Sequence, residues 1–208
     1  MNTIEDTNND VESYSRMNII KYNVHTAYQN LPPKKIEDIS HKLALPVHLM
    51  LLNLDGNMNI AMSIRTAAVF GCSDVWIVGK RKYDARPEVG SKNYIRVHKI
   101  DYLDDPSAFF KRENLQPILI EQGGQPLEEI NFKSLFFANI NPNQLKHVCF
   151  IFGSESHGIN KTWLEIMKDE PRISISQYGM IRSFNVSVAC SIVLYEYFKQ
   201  WRETRICV

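Results

Sequence analysis

Three short segments of the chain hold residues whose types and spacing suit chemistry. The first is Asn57-Met58-Asn59-Ile60-Ala61-Met62-Ser63-Ile64-Arg65, where two amides and a guanidinium follow an apolar run and enter a helical pattern. A side-chain oxygen of Asn57 or Asn59 at that boundary caps the helix start, which accounts for at least one of them without any function. Arg65 lies among Ile64, Ala67, Ala68 and Phe70. A guanidinium in such company either reaches solvent or holds a partner, because it is seldom buried alone.

The second segment is Ile151-Phe152-Gly153-Ser154-Glu155-Ser156-His157-Gly158-Ile159, a strand running into a glycine loop. Glycine lets the backbone approach a ligand closely or adopt positive φ, as at nucleotide-binding switch points. A tight structural turn explains the same residues, and His157 taken alone reads as a surface loop residue. The spacing is neither GxGxxG nor a P-loop, which argues against an ordinary dinucleotide-binding oxidoreductase. The third segment, Ile173 to Ala189, joins a strand, a loop with Gly179, and the polar start of a helix. Ser183 or Asn185 is a natural cap there, while Val188, Ala189, Ile192 and Val193 read as core.

These segments need a scaffold, and the hydrophobic pattern supplies one. Strands are expected at Val47–Leu52, Val75–Val78, Pro117–Ile120, His147–Phe152 and Ile173–Ile175. Helices are expected at Lys35–Leu43, at Ile60–Phe70 closed by Gly71, at Asn160–Lys168 capped by Asn160, and at Ser183–Arg202. Short apolar strands alternating with helices imply an α/β domain with a mostly parallel sheet covered on both faces. Residues 1–45 read as an N-terminal extension, its first 15 or so rich in Asn, Asp, Glu and Ser and expected to be disordered. Residues 46–208 read as the compact domain.

Composition excludes several classes. No apolar run approaches the roughly 20 residues that span a bilayer. The acidic start resembles neither a signal peptide nor a transit peptide, leaving a cytoplasmic location, or a nuclear one, as the expectation. Cys72, Cys149, Cys190 and Cys207 lack paired spacing and read as reduced thiols, with no metal site. The net charge is +1, yet seven cationic residues fall between Lys80 and Lys99 against Asp84 and Glu88 alone. Such a stretch fits a phosphate-binding surface or, equally, a solvated loop.

Taken together the three segments read Asn-x5-Arg, then Gly-x-Glu-x-x-Gly, then Ile-x8-Phe-Asn-Val-Ser-Val-Ala. In this order they resemble the SpoU/TrmH family of SPOUT methyltransferases, over roughly residues 46 to 203. The resemblance implies a deep C-terminal trefoil knot, a homodimer, and S-adenosylmethionine as cofactor. It implies ribose 2′-O-methylation of RNA, with tRNA favoured (a D-loop guanosine) over ribosomal RNA. A catalytically silent RNA-binding protein with the same fold is the rival from another class. By motif position, the catalytic set is Arg65, Asn59, Glu155, Ser183 and Asn185, with Glu155 expected to hold loops rather than do chemistry. The cofactor set is Gly153, Ser154, Ile175, Ser176, Phe184 and Asn185, largely through backbone groups. Phe184 departs from the leucine usual in the family.

Overall fold

The computed structural model describes residues 23–79, 82–137 and 146–205. The acidic N-terminal tail, Lys80, Arg81 and Cys207 lie outside the described residues, and with them the expectations placed there.

A strand that is apolar at every position must be covered on both sides. The first strand, β1 (Leu45–Leu52), is buried along its whole length. It sits inside a six-stranded sheet with β2 (Cys72–Val78), β3 (Arg96–Ile100), β4 (Leu115–Pro126), β5 (His147–Phe152) and β6 (Arg172–Ser174). The order is β3-β2-β1-β5-β4-β6, and all neighbours run parallel. The helices are α1 (Pro33–Leu43), α2 (Asn57–Val69), α3 (Pro106–Arg112), α4 (Lys161–Ile166) and α5 (Val186–Arg205).

Alternation along β1 assigns its side chains to two cores. Val47, Leu49 and Leu51 join Ile60, Ile64 and Ala67 of α2 and Cys190, Val193 and Leu194 of α5. Met50 and Leu52 face the opposite layer, with Phe109 and Phe110 of α3 and Trp163 of α4. The chain steps outward from β1 to β2 and β3, then crosses to the other side, where β5 lies between β1 and β4. Beyond the carboxyl ends of β1 and β5 the strand order reverses, the place where open parallel sheets bind ligands.

Two elements were not expected. Strand β3 lies in the basic stretch, and α3 starts at Asp105, whose Oδ1 accepts the Ala108 N–H at 2.9 Å. The described cations of that stretch are largely paired internally: Arg86 with Asp84, Lys92 with Glu88 and Arg96 with Asp74. Lys99 lies over the Tyr83 ring. The pairing weakens the reading of these charges as an open phosphate-binding surface. Helix α5 begins at Val186 rather than Ser183, and Val188 is exposed rather than core. Cys72, Cys149 and Cys190 are free and buried, as expected.

At the amino-terminal end of the sheet, buried Asp74 accepts two hydrogen bonds from Arg96, at 2.8 and 3.0 Å, and lies 2.7 Å from His98. His48 lies beside it, bonded to Trp76 and, at 2.9 Å, to His147. Burial holds the His48 imidazole down at about 4, outweighing the attraction of Asp74, and burial also lowers His147. A histidine lowered on folding costs stability once the unfolded chain protonates and the folded one does not. Stability should therefore be flat above pH about 6.5 and fall by about 3 kcal/mol towards pH 4. Denaturant titrations at pH 7.5 and 4.5 check this, and His48→Gln should flatten the difference.

Candidate active site

The site is built from three loops at the carboxyl ends of the strands. After β5 the chain turns through Gly153–Gly158, and Ser154 and Gly158 close the loop through paired backbone bonds of 3.0 and 2.8 Å. Gly158 takes φ of 67°, the left-handed region that glycine adopts without strain. A Cβ on Gly153 would lie 2.0 Å from the Gly158 carbonyl carbon, so only glycine fits.

Glu155 ties this loop to the start of α2. Its carboxylate accepts the N–H groups of Asp55 (2.8 Å) and Gly56 (3.2 Å) and the Asn59 side-chain amide. Burial raises the Glu155 carboxyl, yet these donors outweigh it and hold the pKa below the usual range. Asn59 therefore does not cap α2: the cap position is Gly56, which makes no side-chain bond. Asn59 Oδ1 instead accepts from Asn185 Nδ2 at 3.0 Å, so one asparagine links the second and third segments. Asn185 also caps α5, its Oδ1 accepting the Ser187 N–H at 2.9 Å. Replacing Glu155 with Ala should lower stability by about 1–2 kcal/mol and loosen both loops. Cofactor affinity measured by calorimetry should fall about tenfold, since about 1.4 kcal/mol corresponds to that factor.

The loops enclose a cavity of about 300 Å³. Its apolar walls include Ile120, Phe152, Ile175, Phe184, Val186 and Ala189. Gly153, Ser154, Glu155 and Ser183 lie along it, beside Ser156, His157 and Arg182. The sequence reading missed Glu121 and Gln122. A register shift between Ile120 and Gln125 lets β4 bulge there, and both residues turn onto the cavity. Glu121 Oε2 accepts the Ile159 N–H at 3.0 Å and so braces the glycine loop from β4. No local signal marked this bulge apart from Gly123-Gly124.

Other expected residues fall outside the cavity lining. Ser176 bonds to Glu128 and lowers that carboxyl. Asn59 and Asn185 bond to each other, and Asn59 also to Glu155. Arg65 is exposed on α2, and no hydrogen bond or ion pair holds its guanidinium among the described residues. Also among the described residues, no group of three His, Cys, Asp or Glu side chains is arranged to hold a metal ion. No described helix is long and apolar enough to cross a membrane.

A half-apolar cavity walled by loops at the switch point of a parallel sheet is the kind of place where α/β proteins hold ligands. The SpoU rRNA methylase family model matches residues 46–195, and the chain belongs to that family, a family of S-adenosylmethionine-dependent RNA methyltransferases. It is 25% identical over 177 residues to the tRNA (guanosine(18)-2'-O)-methyltransferase of Borreliella burgdorferi, covering 83% of this chain and 75% of the relative. It is 26% identical over 145 residues to the Escherichia coli K12 protein of the same name, covering 68% of this chain and 58% of that relative. The crystal structure of the A. aeolicus TrmH/SpoU tRNA modifying enzyme superposes with a TM-score of 0.66 at 23% identity, covering 83% of each chain.

Proposed function

We propose that the protein transfers the methyl group of S-adenosylmethionine to a ribose 2′-hydroxyl of tRNA, at a D-loop guanosine. The observation that carries this reading is the cavity itself. All three motif segments contribute to it or brace it, through the Glu155–Asn59–Asn185 chain. The names of the relatives favour tRNA and guanosine.

The cavity fits the cofactor in kind. A flat adenine suits the walls at Ile175, Phe184 and Ala189. Ser154, Gln177 and Glu121 offer polar partners for hydroxyl and ammonium groups. Once bound, the sulfonium supplies an electrophilic methyl group. Arg65, without a partner among the described residues, is suited to clamp an RNA phosphate with its planar fork and so fix the ribose for attack. We take the chain to be threaded as a trefoil knot around the 153–159 and 175–185 segments. Residues 1–45 are proposed as an extension that adds RNA contacts, and the cytoplasm as the site of action.

We also propose a homodimer. Met58, Met62 and Val69 of α2 and Val188 and Tyr195 of α5 are exposed apolar side chains on two helices that pack together. A second copy of the chain is the occupant that fits, and Arg65 shares the exposed side of α2, which would put it at the interface. Met62→Asp should convert the protein to a monomer in sedimentation experiments. An unchanged dimer would remove this surface from consideration.

The activity is tested by incubating the protein with radiolabelled S-adenosylmethionine and unmodified tRNA or ribosomal RNA. Alkali-resistant label in tRNA is expected. Label confined to ribosomal RNA would overturn the tRNA assignment. Absence of label with cofactor binding intact would favour the silent RNA-binding alternative.

A further inference from the structure

A 2′-hydroxyl that accepts a methyl group must lose its proton, and Arg65 is a poor acceptor because its guanidinium stays protonated in a protein. The cavity offers a better one. The Ser156 hydroxyl lies 2.6 Å from Asp55 Oδ2 and 2.7 Å from His157 Nδ1. A carboxylate only accepts, and serine has one proton to give. With that proton directed to Asp55, the serine oxygen meets Nδ1 as an acceptor. Nδ1 therefore carries the hydrogen and Nε2 the lone pair. A carboxylate acting through a second group to fix the tautomer is how an imidazole is held ready to take a proton.

The relay is tied to the loops already described. The His157 N–H donates to Ser154 Oγ at 3.2 Å, and the Asp55 N–H donates to Glu155. Ser156 and His157 both line the cavity, His157 is exposed, and no hydrogen bond engages its Nε2 among the described residues. Among the described residues, Glu155, Glu121 from β4 and Arg182 from the 175–185 segment are the charged side chains that share the cavity with it, and Asp55 lies behind Ser156.

We propose that His157 is the general base of the reaction, held with its hydrogen on Nδ1 by Ser156 and Asp55. The proposal rests on the ribose-methylation reading above. The 2′-oxygen bonds to the methyl carbon as the carbon–sulfur bond breaks, leaving its electron pair on sulfur. The hydroxyl proton passes to His157 Nε2, and the imidazolium then returns it to water. Arg65 is left with the clamping role alone.

Two readouts test this. Nitrogen-15 NMR of the imidazoles in cofactor-free protein should show His157 with its hydrogen on Nδ1, reverting towards the commoner Nε2–H form in Ser156→Ala. In single-turnover kinetics, the wild-type rate should rise with pH to a break and then level, as for a reaction that needs an unprotonated base. His157→Gln should lose that break and lower the plateau about 100-fold, with KM for both substrates within about threefold. Ser156→Ala should retain the break with a smaller loss. An Nε2–H tautomer in the wild type, or an unchanged rate and pH profile in His157→Gln, overturns the proposal while leaving ribose methylation standing. Wild-type protein that labels no RNA overturns the ribose-methylation reading and this proposal with it.

Discussion

Arg65→Ala is expected to lower turnover on RNA by about 10²–10³-fold while leaving affinity for S-adenosylmethionine unchanged. The split follows from position. Arg65 lies outside the cavity lining and, among the described residues, bonds to nothing that shapes it, so its removal leaves the cavity walls intact. On the proposed reading, what it contributes is a fork of donors for a phosphate that arrives with the substrate. Lysine keeps the charge but loses the planar, two-point geometry, so Arg65→Lys should fall nearly as far as Arg65→Ala. Turnover assays beside calorimetry of cofactor binding check both halves. Near-normal turnover in Arg65→Lys would argue against the clamping role, and weakened cofactor binding would place the side chain elsewhere.

Gly153→Ala should be the most damaging small substitution in the site. The added Cβ would sit 2.0 Å from the Gly158 carbonyl carbon and 2.2 Å from the Ile159 nitrogen. These are backbone atoms, pinned by the Ser154–Gly158 bonds and by Glu121, so they cannot swing aside as a side chain would. A loss of about 3 kcal/mol or more is expected, lowering Tm by roughly 10 °C. Any protein that remains folded should bind the cofactor poorly, because the loop must move to admit the methyl group. Thermal unfolding and calorimetry would show it, and a Tm within about 2 °C of wild type would mean the loop relaxes freely. Gly179, with nothing within 4 Å of its Cβ position, provides the contrast: Gly179→Ala should leave stability nearly unchanged.

Strands β1 and β5 were legible in the sequence because central parallel strands are nearly continuous apolar runs, broken here only by His48 and His147, and α2 because Gly71 follows its end at positive φ. Strand β3 was hidden because, at the sheet edge, Arg96, His98 and Lys99 leave only Val97 and Ile100 apolar, and these two face opposite layers, so no period-two pattern appears. The Asp105-Pro106 start of α3 was present but followed by a helix too short to show a period. Within the site, the motif residues announced the glycine loop and the Asn59–Asn185 neighbourhood. Their partners across the fold could not be seen. Glu155 reaches the Asp55 and Gly56 amides about a hundred residues away in sequence, and Glu121 turns inward only because β4 bulges. The Asp55–Ser156–His157 relay is of the same kind, a contact between two loops with no local signature.

The central claim is methyl transfer to ribose, and nucleoside mass spectrometry of reacted tRNA tests it most directly. Digestion to nucleosides after incubation with S-adenosylmethionine should yield 2′-O-methylguanosine, with the extra methyl on the sugar fragment, and Arg65→Ala should yield almost none. A methyl group on the base fragment, or unmodified nucleosides from protein that binds the cofactor, would contradict the account.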